Sequence, residues 1–210
     1  MLNALFIAKD TYKFRELESA LLTSFFVDYT DKLESGLEQV SKLEFSYDVF
    51  FLLRDPFYDE IPAVNRLIKN KVFIYQTINP DNWILNDKDK YPVYDRKSNL
   101  NDDRKIVLNA SNMMGKPEYF KGVKEIAVFN PFHVDLNWEI VLNGNETTMA
   151  MIGDIALRYG REVVIAQKSR NFVLFSCDVL SDEVVAAKRD NIKFILNLLN
   201  SLLGGAEFVK

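Results

Sequence analysis

Apolar positions along the first third of the chain switch between two spacings. Residues 2–9 (LNALFIAK) form a short apolar run, readable as a buried strand, and Phe14, Leu17, Leu21 and Leu22 then share one helical face within residues 12–24. Residues 25–29 (FFVDY) are a β-type run. Leu33, Leu37, Val40 and Leu43 recur every three or four residues, which predicts an amphipathic helix with Asp31 as its N-cap. Tyr47 to Leu53 is continuously apolar after Asp48 and stops at Arg54-Asp55-Pro56, the pattern of a strand covered on both faces. Ile61, Val64, Leu67 and Ile68 mark another helix over 60–70, and Val72-Phe73-Ile74-Tyr75 another buried strand. Alternating strands and helices of this kind build a parallel sheet with helices on both faces.

Residues 79–105 break the pattern. They are rich in Asn, Asp and Lys, carry Pro80 and Pro92, and read as a long surface excursion with room for a short helix of its own. The second half is strand-rich: 106–108, 125–129 and 138–142 are candidates, with a turn signal at Asn143-Gly144. Residues 163–166 and 172–175 flank Gln167 to Asn171 and read as a β-hairpin. Ser181-Asp182 opens a last helix, whose stripe is Ile192, Ile195, Leu196, Leu199, Leu202 and Leu203, and Gly204-Gly205 closes it. The expected fold is α/β: one domain over 1–210, a three-layer αβα sandwich with a mostly parallel, flavodoxin-like or amidotransferase-like sheet, then a C-terminal β-hairpin plus helix.

Composition narrows the function classes. The chain has 210 residues, 48 % apolar and 27 % charged, and a net charge of −4 with dispersed basic residues. That argues against duplex nucleic acid, whose binding needs a concentrated cationic surface. No apolar run reaches membrane-spanning length, so no direct membrane insertion is expected. The start lacks a cationic region and a cleavage site, and its apolar run ends at Lys9-Asp10, as a first strand would. One cysteine, Cys177, and one histidine, His133, fit a reducing compartment, and a cytoplasmic location is expected. The counts also exclude a structural zinc site of four cysteines, or of two cysteines and two histidines.

The order of these segments resembles the class I glutamine amidotransferase-like superfamily. Tyr47-Asp48-Val49-Phe50-Phe51, a helix ending at Leu67-Ile68, and Lys71-Val72-Phe73-Ile74 are similar to that group's "YDVVVL", "LxxYVxxGG" and "LVV" segments. Lys116-Pro117-Glu118-Tyr119-Phe120-Lys121-Gly122-Val123 resembles its "HPIxxG" segment, with Lys116 in place of the usual His. Val163 to Ala166, Phe172 to Asp178, Leu180-Ser181-Asp182, then Asn191, Phe194 and Asn197-Leu198-Leu199 resemble the tail of non-catalytic branches. These include gliding-motility ABC-transporter auxiliary proteins and a related intraflagellar-transport subunit. The Gly-Gly before the fourth strand is missing, and Lys-Ser-Arg-Asn replaces the Gly-rich hairpin.

The resemblance implies, for an active member, a Gly-x-Cys-x-Gly elbow after a central strand, where a thiolate sits on a tight turn beside a base. Here the turn after 72–75 reads Gln76-Thr77-Ile78-Asn79, without Cys, Ser or glycine. Nothing nearby in sequence would activate Thr77, which is expected to satisfy local backbone groups. Cys177 and His133 are the one thiol–imidazole pair the composition allows, against the plainer reading of a buried small side chain and an unrelated loop histidine.

Ligands of open α/β sheets bind beyond the carboxyl ends of the strands. The candidate binding residues there are Asp10, Thr11, Arg54, Asp55, Gln76, Asn79 and Asp178. Asp10, Asp55 and Asp178 could together hold Mg²⁺, against the competing reading that each caps a following helix or turn. No glycine-rich phosphate loop follows the first strand, which counts against nucleotides and flavins, and no cofactor is expected. Trp83, Tyr91, Tyr94, Tyr119, Phe120 and Phe132 either form an exposed patch for a protein partner or self-association, or fasten the loop to the sheet. Three functions compete: a non-catalytic binding or assembly module, a small hydrolase or transferase using strand-end carboxylates, and a small-molecule sensor. The missing elbow favours the first.

Overall fold

Side chains along a strand point alternately to opposite faces, and the first strand uses both faces for burial. In β1 (Leu2–Ile7), Ala4 and Phe6 enter one apolar cluster while Leu5 and Ile7 enter a second on the other side. The computed structural model describes residues 1–85, 88–187 and 189–204. It is a mixed α/β protein built on a mainly parallel seven-stranded sheet.

The first half follows the alternation read from sequence: β1, α1 (Arg15–Leu21), β2 (Phe25–Thr30), α2 (Leu37–Ser46), β3 (Val49–Leu52), α3 (Ile61–Asn70) and β4 (Val72–Gln76). The second half supplies β5 (Tyr91–Tyr94), β6 (Lys105–Asn109), β7 (Glu125–Phe129), β8 (Phe132–His133), β9 (Glu139–Asn143), β10 (Met149–Ile152), β11 (Ile155–Tyr159), β12 (Val164–Ser169), β13 (Phe172–Phe175), α4 (Asp182–Val185) and α5 (Asn191–Leu202). The large sheet runs β2-β1-β3-β4-β13-β12-β9, parallel from β2 to β13 and antiparallel from β13 to β9. Smaller sheets run β11-β10-β5-β8 and β6-β7. Leu17, Leu21, Phe194 and Leu198 from α1 and α5 join the cluster of Ala4 and Phe6. Val40, Val64 and Leu67 from α2 and α3 join that of Leu5 and Ile7. Among the described residues, no helix is long and apolar enough to cross a membrane.

Several elements differ from expectation. The second helix begins at Leu37 with Gly36, not Asp31, at its N-cap. Leu33 lies before that helix: its side chain packs in the apolar cluster of Leu5 and Ile7, and its N–H donates to Glu60 Oε1 at 2.6 Å, so its place in the apolar period comes from tertiary contacts and not from a helical turn. The excursion carries strand β5 and not a helix among its described residues. It is folded back by Asp95, which is fully buried and accepts from the Lys97 and Ser98 N–H groups and the Thr147 and Thr148 hydroxyls. Those four donors outweigh its burial and hold its carboxyl below the usual range. The aromatics of this region form no exposed patch. Tyr119 and Phe132 are buried, Tyr91 stacks on His133, and Phe120 stacks on Phe194. They fasten the chain to the sheet, because burying both ring faces removes more apolar area from water than a surface patch would.

The terminal helix is two helices, since Asp190 turns aside to accept the Lys124 and Glu125 N–H groups before α5 starts. Gly204 has the positive φ of a helix stop, +80°, while Gly205 lies outside the described residues.

Candidate functional site

The connection β1-α1-β2 leaves β1 to one side, and β2-α2-β3 returns to the other, so the strand order reverses between β1 and β3. Open α/β sheets bind ligands at that point, beyond the carboxyl ends. A cavity of about 230 Å³ lies there, lined among others by Lys13, Arg54, Asp55, Gln76, Thr77, Asn79, Asp178 and Ser181. Five of the seven residues singled out from sequence therefore meet in one place. Asp10 and Thr11 are not among its lining residues. Asp10 instead pairs with Lys13 at 3.0 Å on the surface, and Thr11 opens a short 3₁₀ turn.

Each polar group at the crest has a structural engagement. Asp55 accepts from the Tyr75 and Thr77 hydroxyls on one oxygen and from Asn79 Nδ2, at 2.8 Å, on the other. Thr77 Oγ1 donates to Asp55 at 2.8 Å and accepts the Asn79 N–H at 3.0 Å, which uses its proton and a lone pair. Burial first, and then the Asp55 charge, push the Tyr75 phenol far above its usual range. Gln76 Oε1 accepts the Val179 and Leu180 N–H groups, both at 2.9 Å, and ties the end of β4 to the chain after β13.

Asp178 accepts the Ser181 N–H and hydroxyl, at 3.1 and 2.6 Å, in the turn that leads into α4. Burial raises its carboxyl above the usual range despite the opposing hydrogen bonds from Ser181, Leu180 and Gln76. Arg54 lines the cavity but is engaged by Glu60: its two terminal nitrogens each lie 2.7 Å from a Glu60 oxygen, and its guanidinium covers the Phe57 ring at 4.5 Å. Glu60 is fully buried and also accepts the Leu33 and Phe57 N–H groups. Burial alone would raise its carboxyl, but Arg54 and these two N–H groups hold it below the usual range. The sequence reading placed Glu60 at a helix start and missed this role. The usable signal was a cation six residues before a carboxylate, across a proline turn.

The other candidate chemistry is occupied in the same way. Cys177 is fully buried, and burial, then the Asp178 charge, push its thiol well above the usual range, away from the thiolate a nucleophile needs. His133 sits in β8, where its Nδ1 accepts the Val164 N–H at 2.9 Å and its ring stacks on Tyr91. Among the described residues no three His, Cys, Asp or Glu side chains are grouped as metal ligands would be.

His133 gives a pH expectation. Burial, then the Arg158 charge, lower its pKa, so the unfolded chain takes up the proton first. The His133 contribution to stability is complete above about pH 6.5, the unfolded value, and is lost as pH falls below it toward the lower folded value. Thermal melts between pH 7.5 and 5 should therefore show a falling Tm that flattens in His133→Gln. Equal slopes in both proteins would refute the assignment. Asp178 acts with the opposite sign, which is why the comparison with the variant carries the test.

No family model matches the chain. An uncharacterized protein of Archaeoglobus fulgidus is 37 % identical over 211 residues, covering 99 % of each chain. The chain belongs to the same family as that archaeal protein.

Proposed function

We propose that the family shared with the archaeal protein is a non-catalytic binding or assembly module of amidotransferase-like fold, which docks a protein partner on the crest of its sheet. The fold reading is a three-layer αβα sandwich ending in a hairpin plus helix. It is supported by the two apolar clusters on opposite sheet faces, by the flavodoxin-like order 2-1-3-4, and by the antiparallel β12–β13 pair ahead of α5.

One observation carries the functional reading. Where an active amidotransferase-like member would present its nucleophile, Thr77 is locked into the Asp55–Asn79 network, and the next residue, Ile78, stands exposed at the same cavity. Tyr12, Phe57, Tyr58 and Ile78 all follow carboxyl strand ends, and each is more than half exposed. Exposed apolar groups on the segments that follow the strand ends suit a protein contact. The cavity, about 230 Å³, is smaller than the roughly 300–1,000 Å³ of ordinary ligand pockets. The carboxylate enzyme and sensor readings have less support, since Asp55 and Asp178 are already engaged in local hydrogen bonds.

Affinity capture from native extract should retain a discrete partner on the unmodified chain and lose it on the Tyr58→Ser/Ile78→Ser variant, with both proteins melting alike. Amidase, esterase or phosphatase turnover by the purified chain that disappears in Thr77→Ala would overturn the reading.

A further inference from the structure

A second cavity, of about 420 Å³, opens at the opposite end of the sheet. Its walls come from the end of α3 (Ile68), the segment after β4 (Trp83 and Ile84), the residue before β9 (Trp138) and the start of β13 (Phe172). Trp138 meets Phe172 edge to face at 5.6 Å, so the wall is a fixed aromatic corner. Both tryptophans of the chain lie at this one site.

The remaining described lining residues are Asn65, Ser169 and two cations, Lys69 and Arg170, with no carboxylate among the described residues. Among the described residues neither cation has an ion-pair partner, in a chain whose net charge is −4. Arg170 is held there by the two-residue turn between β12 and β13, with a positive φ of 53°.

We propose that this cavity binds a small aromatic carboxylate, its rings between Trp83, Trp138 and Phe172 and its carboxylate at Lys69 and Arg170. The volume suits a one- or two-ring body. The aromatic corner favours a flat ring over an alkyl chain, because ring edges and faces pair in defined geometry. The cations select the ionised acid over its neutral amide. The site is separate from the crest, so its occupancy does not depend on a docked protein.

Tryptophan emission reports on this cavity directly. Titration of the full chain with 2-naphthoate should quench it saturably, with a dissociation constant below 1 mM. Lys69→Gln/Arg170→Gln should weaken binding about tenfold or more while melting as the unmodified chain does. Trp138→Leu should weaken it as well, read by calorimetry. 2-Naphthamide and decanoate should each bind at least tenfold more weakly than 2-naphthoate. The assignment is overturned by the absence of saturation up to 1 mM, by equal binding of the amide or of decanoate, or by unchanged affinity in the double variant.

Discussion

Arg54→Met is expected to cost about 3–5 kcal/mol of folding stability, the usual penalty for removing one partner of a buried ion pair. The pair is shielded, with side-chain exposure of 12 % for Arg54 and 0 % for Glu60. Methionine would fill the aliphatic volume but leave the Glu60 carboxylate facing only the Leu33 and Phe57 N–H groups. For a chain of 210 residues this corresponds to a Tm lowered by roughly 6–20 °C. The pH dependence separates this account from a simple packing defect. In the unmodified protein the Glu60 carboxyl is held low, so its contribution is present above the unfolded value near 4.5 and disappears as pH falls through the folded value. Without Arg54 the folded carboxyl rises above the unfolded one, and the sign reverses: the variant's deficit should shrink between pH 6 and pH 4. Adding Glu60→Gln should recover much of the loss at neutral pH, since an amide keeps the acceptor and removes the charge. If Arg54→Met melts like the unmodified chain, Arg54 is free for a ligand and the structural role assigned to it is wrong.

Asn191→Leu should be nearly as damaging, at roughly 3–5 kcal/mol, through hydrogen bonds alone. The side chain is fully buried at the start of α5. Its Nδ2 donates to the Ala127 and Val179 carbonyls at 2.8 and 2.9 Å, and its Oδ1 accepts the Ala127 N–H at 2.9 Å. One amide thus joins β7, the segment after β13 and the last helix. Leucine has similar bulk, so no large cavity forms, but three backbone groups lose their partners in the core. Asn191→Asp should fare no better, because a carboxylate would face two carbonyl oxygens. The midpoint of urea unfolding measures the effect, and a loss under 1 kcal/mol would show that the segment draws its order from elsewhere.

These two residues mark the boundary of what the linear sequence conveys. Strands β1, β3 and β4 were legible because a doubly covered strand is a continuous apolar run, and Val49 to Leu52 is such a run. The helix over 33–43 was misplaced because Leu33 obeys a helical period while being held by Glu60, a contact between residues 27 apart. Strands β8, β10 and β11 were missed. Phe132-His133 is only two residues long, and the exposure of Ile152, Ile155 and Tyr159 removes the alternation a half-buried strand shows.

The site behaves similarly. Arg54, Asp55, Gln76, Asn79 and Asp178 could be grouped from sequence, since parallel topology brings strand ends together. Which way each side chain turns is a tertiary matter. Asp10 turns to Lys13, Arg54 to Glu60, and Gln76 to two backbone N–H groups. Thr77, expected to serve its local backbone, does accept the Asn79 N–H, and it also donates across to Asp55.

The crest is proposed to receive a protein. Tyr58 at the crest and Phe45 at the end of α2, which leads into the opposite end of the sheet at the start of β3, are equally exposed at 91 %. A photo-crosslinking amino acid placed at each position in the native host makes a matched pair of probes. A discrete adduct from position 58, absent from position 45, is the predicted result. No adduct at position 58, or the same adducts from both positions, would contradict it.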